Sequence, residues 1–210
     1  MGTSPLNLFA PTLAGLALAV TGCAAGTETS PPPRIAVPPG PGVAAPVALV
    51  EPSRLIITSI GVNAPLEPLG LAPDGTLAVP DLNHVDQTGW YCDKHTESGD
   101  TPHCASGIVP GQTGAAVIAA HVDGKGKQGA FFRLKDLHTG DDIQVRRVDG
   151  STLTFRVTRT ETPKKTAFPS KAVYGNVDHP ALRLLTCGGP FIGGRIGYQD
   201  QVIVYADEVT

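Results

Sequence analysis

Ala181-Leu182-Arg183-Leu184-Leu185-Thr186-Cys187-Gly188-Gly189 is the stretch on which this chain turns. It is an apolar run that ends in a thiol and two glycines, and it reads as a buried strand. A thiol at such a strand end, beside backbone without a Cβ, can meet a substrate carbonyl closely. Upstream, Ala115-Ala116-Val117-Ile118-Ala119-Ala120 is a second apolar run, and it ends in His121. Cys and His at two strand ends are the parts of a thiol acyl-transfer site. Taken alone, Cys187 reads as a small buried hydrophobe, the usual state of a free cysteine. The surrounding pattern argues for chemistry instead.

Outward from these runs the chain reads as short strands separated by turns. Arg54 to Ile60 is β-branched and stops at Gly61, and Asp74-Gly75 marks a turn before a short strand at Leu77-Ala78-Val79. Asp142 to Val148 and Thr152 to Thr160 alternate with period two around Asp149-Gly150, which predicts a hairpin. Leu182 to Cys187 and Val202 to Ala206 complete the set. Phe131 to Leu137 allows one or two short helical turns, and no segment shows a long, capped amphipathic helix. With 25 Gly and 20 Pro in 210 residues, the expected class is an all-β barrel or sandwich. A net charge of -3 argues against a nucleic-acid partner. Gly124-Lys125-Gly126-Lys127 lacks the spacing and the Ser or Thr of a phosphate loop, so it reads as a flexible basic loop. His84, His138 and His179 sit among polar and turn residues and are expected at the surface. No cluster suggests a metal, and no cofactor is expected.

The amino-terminal segment reads as targeting rather than fold. Leu6 to Val20 is nearly all apolar and leads into Val20-Thr21-Gly22-Cys23, which resembles a bacterial lipobox with Cys23 as the lipid attachment residue. The run is short for a spanning helix, which needs about 20 apolar residues, and it lacks the usual Lys or Arg before it. A signal peptide or amino-terminal anchor over 1–23, a Pro-rich linker over 24–53 and a catalytic domain over 54–210 are the expected divisions. The linker, with Pro31-Pro32-Pro33 and Pro38-Pro39-Gly40-Pro41, suits an extended tether. Each of these readings places the domain outside the membrane.

Of the four cysteines, Cys92 and Cys104 flank a polar stretch. A disulfide closing it suits an extracytoplasmic protein. A metal site using His95 and His103 is the alternative, although the spacing matches no common zinc pattern. Cys187 is then the odd thiol.

The order of these features resembles the sortases, most closely the class F group of actinobacterial sortases. The likeness lies in Gly70-Leu71-Ala72-Pro73-Asp74-Gly75, Gly89-Trp90-Tyr91, Ala120-His121-Val122-Asp123-Gly124, Phe131-Phe132-Arg133-Leu134, Leu185-Thr186-Cys187-Gly188-Gly189-Pro190-Phe191 and Val202-Ile203-Val204-Tyr205-Ala206. It runs through nearly all of residues 54–207. The resemblance implies an eight-stranded sortase-type β-barrel and a catalytic trio of His121, Cys187 and an arginine. Arg195 is the only arginine after Cys187, and Gln199 or Gln201 is the other candidate for the expected place. Thr186 is a supporting residue; Asp123 either orients His121 or begins the following turn. The implied chemistry starts with thiolate attack on a peptide carbonyl. His121 then acts as general acid, Arg195 holds the oxyanion, and an amine resolves the thioacyl enzyme. The implied donor is a secreted protein with a Leu-Pro-X-Thr-Gly type sorting signal. The implied acceptor is an amine of peptidoglycan or a pilin Lys. Two alternatives remain: a lipid-anchored barrel that binds a peptide without cutting it, and an L,D-transpeptidase, whose Ser-His-Gly-Cys-x-x-x-Arg pattern is absent.

Overall fold

The computed structural model describes residues 50–95, 103–193 and 197–209. In chain order its strands are β1 Pro52–Ile57, β2 Val62–Leu69, β3 Thr88–Tyr91, β4 Asp93–His95, β5 His103–Ser106 and β6 Gly114–Ala120. There follow β7 Asp123–Gly124, β8 Lys127–Gln128, β9 Asp142–Arg147, β10 Thr152–Glu161, β11 Pro180–Phe191 and β12 Tyr198–Glu208. Eight of them close into a barrel in the order β1-β2-β3-β6-β11-β12-β10-β9, with β9 returning to pair with β1. Short 3-10 turns at Thr58–Ile60, Leu134–Asp136 and Lys165–Ala167 and one five-residue helix, α1 Ser170–Tyr174, are the helical parts described. This is the eight-stranded all-β barrel expected from the sequence.

Alternation builds the outer half of the barrel. In β9, Ile143 and Val145 are fully buried while Asp142, Gln144 and Arg146 face water. The β9–β10 hairpin turns where Asp149 Oδ1 accepts from the Ser151 amide at 2.9 Å. The other half has no alternation, because it is covered twice. Ala116, Ile118 and Ala120 of β6 face the barrel core. Val117 and Ala119 face a second cluster with Leu185, Ile203, Tyr205 and Val173 of α1. Both faces of β6, and of β11 apart from Arg183, which is buried over the Tyr205 ring, are therefore apolar, which is why they read as continuous runs. Each fully buried Leu or Ile there contributes about 1.5–3 kcal/mol.

Two local expectations changed. Leu77-Ala78-Val79 is not a strand: Leu77 makes a single bridge to Leu71, the Ala78 amide bonds Gly70 O at 3.1 Å, and the chain runs on to Pro80. The Asp74-Gly75 turn itself forms, with Asp74 Oδ1 accepting from the Thr76 amide and hydroxyl. Second, the strand read over Arg54 to Ile60 ends at Ile57, and Thr58–Ile60 is a 3-10 turn. Cys92 and Cys104 form the expected disulfide, Cα–Cα 4.9 Å, tying the β4–β5 hairpin and leaving no thiolate there for a metal. His84, His138 and His179 are exposed, as expected. Among the described residues no helix is long and apolar enough to cross a membrane. The targeting segment, Cys23 and nearly all of the linker lie outside the described residues, as does Arg195.

Candidate active site

β6 and β11 run parallel, with Leu184 opposite Ile118 and Leu185 opposite Ala119. Two residues further on come His121 and Cys187. Side chains repeat every second position along a strand, so the imidazole and the thiol continue the face of Ala119 and Leu185. Thr186, 3% exposed, fixes this register at the strand ends: its Oγ1 donates to Ala120 O at 2.8 Å. The bond joins the residue before Cys187 to the residue before His121.

His121 and Cys187 are both half-buried and line one cavity of about 660 Å³, the size of a small-ligand or peptide cleft. A second cavity of about 210 Å³ reaches the other side of Cys187 beside Thr186, Gly188 and Val202. Cys187 is the free cysteine among the described residues. His121 Nε2 lies 2.7 Å from the carbonyl oxygen of Pro80. Its own carbonyl accepts from the Phe131 amide at 3.1 Å.

The glycines after Cys187 have a packing role that the sequence did not reveal. A Cβ on Gly189, whose φ is +71°, would meet Asp200 Oδ2 at 2.1 Å, and one on Gly188 would meet Val202 Cγ2 at 2.7 Å. The absence of both side chains lets β12 close against β11 next to the thiol, where the ladder shifts register between Gly188 and Phe191.

Asp123 opens β7, and its Oδ2 accepts from the Tyr198 hydroxyl at 2.5 Å, across the mouth of the cavity. That hydrogen bond is the main reason the Tyr198 phenol is pushed up to about 12; burial and the negative charges of Asp123 and Cys187 add to it. Tyr198 also rests against Phe191, ring centroids 5.0 Å apart. Sequence reasoning missed Tyr198 because the last strand was read from Val202, whereas it begins at Tyr198. Gln201 is the register partner of Cys187, and Gln199 Nε2 donates to Gly197 O at 3.5 Å. Neither Cys92 nor Cys104 borders either cavity.

A closed eight-stranded barrel with cysteine and histidine on adjacent parallel strands at a cleft defines a sortase-type domain. The chain belongs to the sortase family: the model of the sortase domain matches residues 77–209. Solved structures share the fold. Sortase C-1 from Actinomyces oris is similar at 19% identity and TM-score 0.53, over 75% of this chain and 73% of that one. Sortase A from Corynebacterium diphtheriae gives 19% and 0.54, over 77% and 61%. A Clostridium perfringens Sortase D5 transpeptidase gives 17% and 0.52, over 76% and 79%. No curated protein matches the chain.

Proposed function

We propose that this protein is a cysteine transpeptidase of the class F type. It cleaves a Leu-Pro-X-Thr-Gly type sorting signal on secreted proteins and transfers the acyl group to an amine of peptidoglycan or a pilin. The observation that supports this reading is the shared cleft: β6 and β11 pair in parallel as far as Ala119 and Leu185, and His121 and Cys187, two residues on, both line its wall. The thiolate attacks the scissile carbonyl carbon, and Cys187 Sγ becomes the thioester sulfur. The imidazolium of His121 protonates the leaving amine as the C–N bond breaks. An incoming amine gives its proton back to His121 and takes the acyl group. Arg195, between β11 and β12, is the proposed oxyanion donor, a role commonly worth about 3 kcal/mol. Gln201, the register partner of Cys187, and Gln199 are the alternative candidates for that role.

Residues 1–23 are proposed to direct export, with Cys23 as lipid anchor, and residues 24–53 to tether a catalytic domain over 54–210. This puts the enzyme on the outer face of the cell membrane, where a disulfide persists. The test is turnover of a quenched Leu-Pro-X-Thr-Gly peptide with an amine acceptor, by the wild type and by Cys187→Ala. The mutant is expected to lose on the order of 10³-fold or more in rate. Wild-type binding without cleavage would replace this reading with a peptide-binding module.

A further inference from the structure

Pro80 is 41 residues before His121, yet its carbonyl oxygen sits on the imidazole. A carbonyl oxygen only accepts hydrogen bonds, so Nε2 carries a hydrogen whenever this contact is made. Nδ1 is then the nitrogen left to gain and lose the working proton. We propose that Asn83 and Lys125 are positioning residues for the reaction: they clasp the segment after Pro80 so that its carbonyl holds His121 in the Nε2–H tautomer. The inference rests on the transpeptidase reading above.

The clasp is continuous. Asn83 donates its amide and its Nδ2 to Asp81 Oδ1 at 2.6 and 2.7 Å, which folds the chain tightly just after Pro80. Asn83 Oδ1 in turn accepts from Lys125 Nζ. Lys125 lies in the two-residue turn between β7 and β8, and this hairpin leaves His121 after a single residue. Its φ of 50° makes it the one non-glycine among the described residues in the left-handed region, and Gly126 follows at 75°. Such a turn prefers Asn or Gly at Lys125's position. A lysine there keeps backbone strain, and strain of this kind is retained where the surroundings demand it. Its ammonium ends on the residue that folds the Pro80 segment. Close packing and a backbone bond hold the same segment: a Cβ added to Gly124 would lie 2.9 Å from the side chains of both Leu82 and Val85, and the Ala130 amide donates to Val85 O at 2.7 Å.

The proton accounting follows from the tautomer. Before attack, His121 carries hydrogens on both nitrogens and Cys187 is the thiolate. When the C–N bond breaks, the Nδ1 hydrogen passes to the leaving amine. The neutral ring keeps its Nε2–H on Pro80. The acceptor amine later returns a proton to Nδ1, and the cycle closes without the ring turning.

The test uses the full chain in detergent micelles, labelled with ¹⁵N at histidine, with Asn83→Leu and Lys125→Gly as variants. In the wild type the neutral His121 ring is expected to show Nε2–H and a bare Nδ1. Both variants should show mixed tautomers and a kcat lower by about tenfold with KM within about twofold. Lys125→Gly relieves the strained turn, so its Tm should not fall, and that separates positioning from folding. An Nδ1–H ring in the wild type, or wild-type tautomer and kcat in both variants, would overturn the proposal. Because the tautomer is read without substrate, an inactive wild type would count against the transpeptidase reading and leave this test decisive.

Discussion

Replacing Thr186 with Val removes one oxygen and keeps the branched shape. That oxygen makes the 2.8 Å bond to Ala120 O at a site only 3% exposed. Depriving a buried carbonyl of its partner costs about 1–3 kcal/mol. With a central value of about 2 kcal/mol, Tm should fall by about 4–8 °C for a domain of this size. The same bond spans the two strands one residue before the imidazole and the thiol. If about 1–2 kcal/mol of it is expressed in their alignment at the transition state, kcat/KM drops by about fivefold to thirtyfold. Thr186→Ser is the control. It keeps the hydroxyl and loses a methyl worth about 0.8 kcal/mol, so it should be mildly less stable but close to wild type in rate. Thermal melts and peptide turnover on the three proteins check both numbers. Wild-type kcat/KM in Thr186→Val, or an equal loss in Thr186→Ser, would refute the claim that this bond sets the register of the site.

Three further outcomes are expected. Gly129→Ala would place a Cβ 2.2 Å from His121 O and 2.7 Å from its carbonyl carbon, backbone atoms that cannot swing away; turnover should fall by about tenfold or more, with a lower Tm by scanning calorimetry. Replacing Cys92 and Cys104 together with Ala opens a 12-residue separation; on the chain-entropy estimate this costs about 3 kcal/mol, read as a lower urea midpoint, while peptide turnover of the folded fraction stays near wild type. The third concerns His179, whose Nδ1 and Nε2 reach Asp178 at 2.9 Å and Asp207 at 3.2 Å. The Asp178 hydrogen bond, then that of Asp207, raises the imidazole above its ordinary value, and the bond from His179 holds Asp178 below its own. A raised His stabilises below its unfolded value and loses that contribution as pH rises through the folded one; a lowered Asp loses its contribution as pH falls. The pairing of His179 with Asp178 and Asp207 is therefore strongest between about pH 4 and 6.5. The Tm gap between wild type and His179→Gln should peak there and shrink as pH rises through the raised folded value, and a gap that keeps growing above about pH 6.5 would contradict this.

The parts of the fold that were legible are those whose pattern is set by their own neighbours in sequence. Ile143, Val145, Phe155 and Val157 alternate because one face of β9 and β10 is wet, and Asp149-Gly150 supplies the turn. β2 was less legible. Pro65 and Pro68 lie inside it, and proline normally argues against an inner strand. They are tolerated because each has a ladder on one side only: the β1 pairing ends at Pro65, opposite Arg54, and the β3 pairing begins at Leu66 and sets Pro68 opposite Trp90, while the Pro65 carbonyl is taken by Thr88 Oγ1 at 2.7 Å. Leu77 to Val79 has strand composition, but its one bridge is to Leu71, so composition alone misled there.

The site shows the same division more sharply. Thr186-Cys187 and Ala120-His121 were readable as residue types at strand ends. Their meeting depends on a parallel register that no local pattern encodes, and the partners of His121 and Asp123 lie 41 and 75 residues away. A slip of one residue between β6 and β11 would turn one of the two side chains toward the barrel core, which Ala120 and Leu184 already fill. Two features resist such a slip: the Thr186–Ala120 bond, and the glycine pair that lets Asp200 and Val202 lock β12 onto β11. The glycines that read as room for a substrate carbonyl are thus also what holds the cysteine strand in place, so a side chain at Gly189 should misplace the thiol even when the peptide is small.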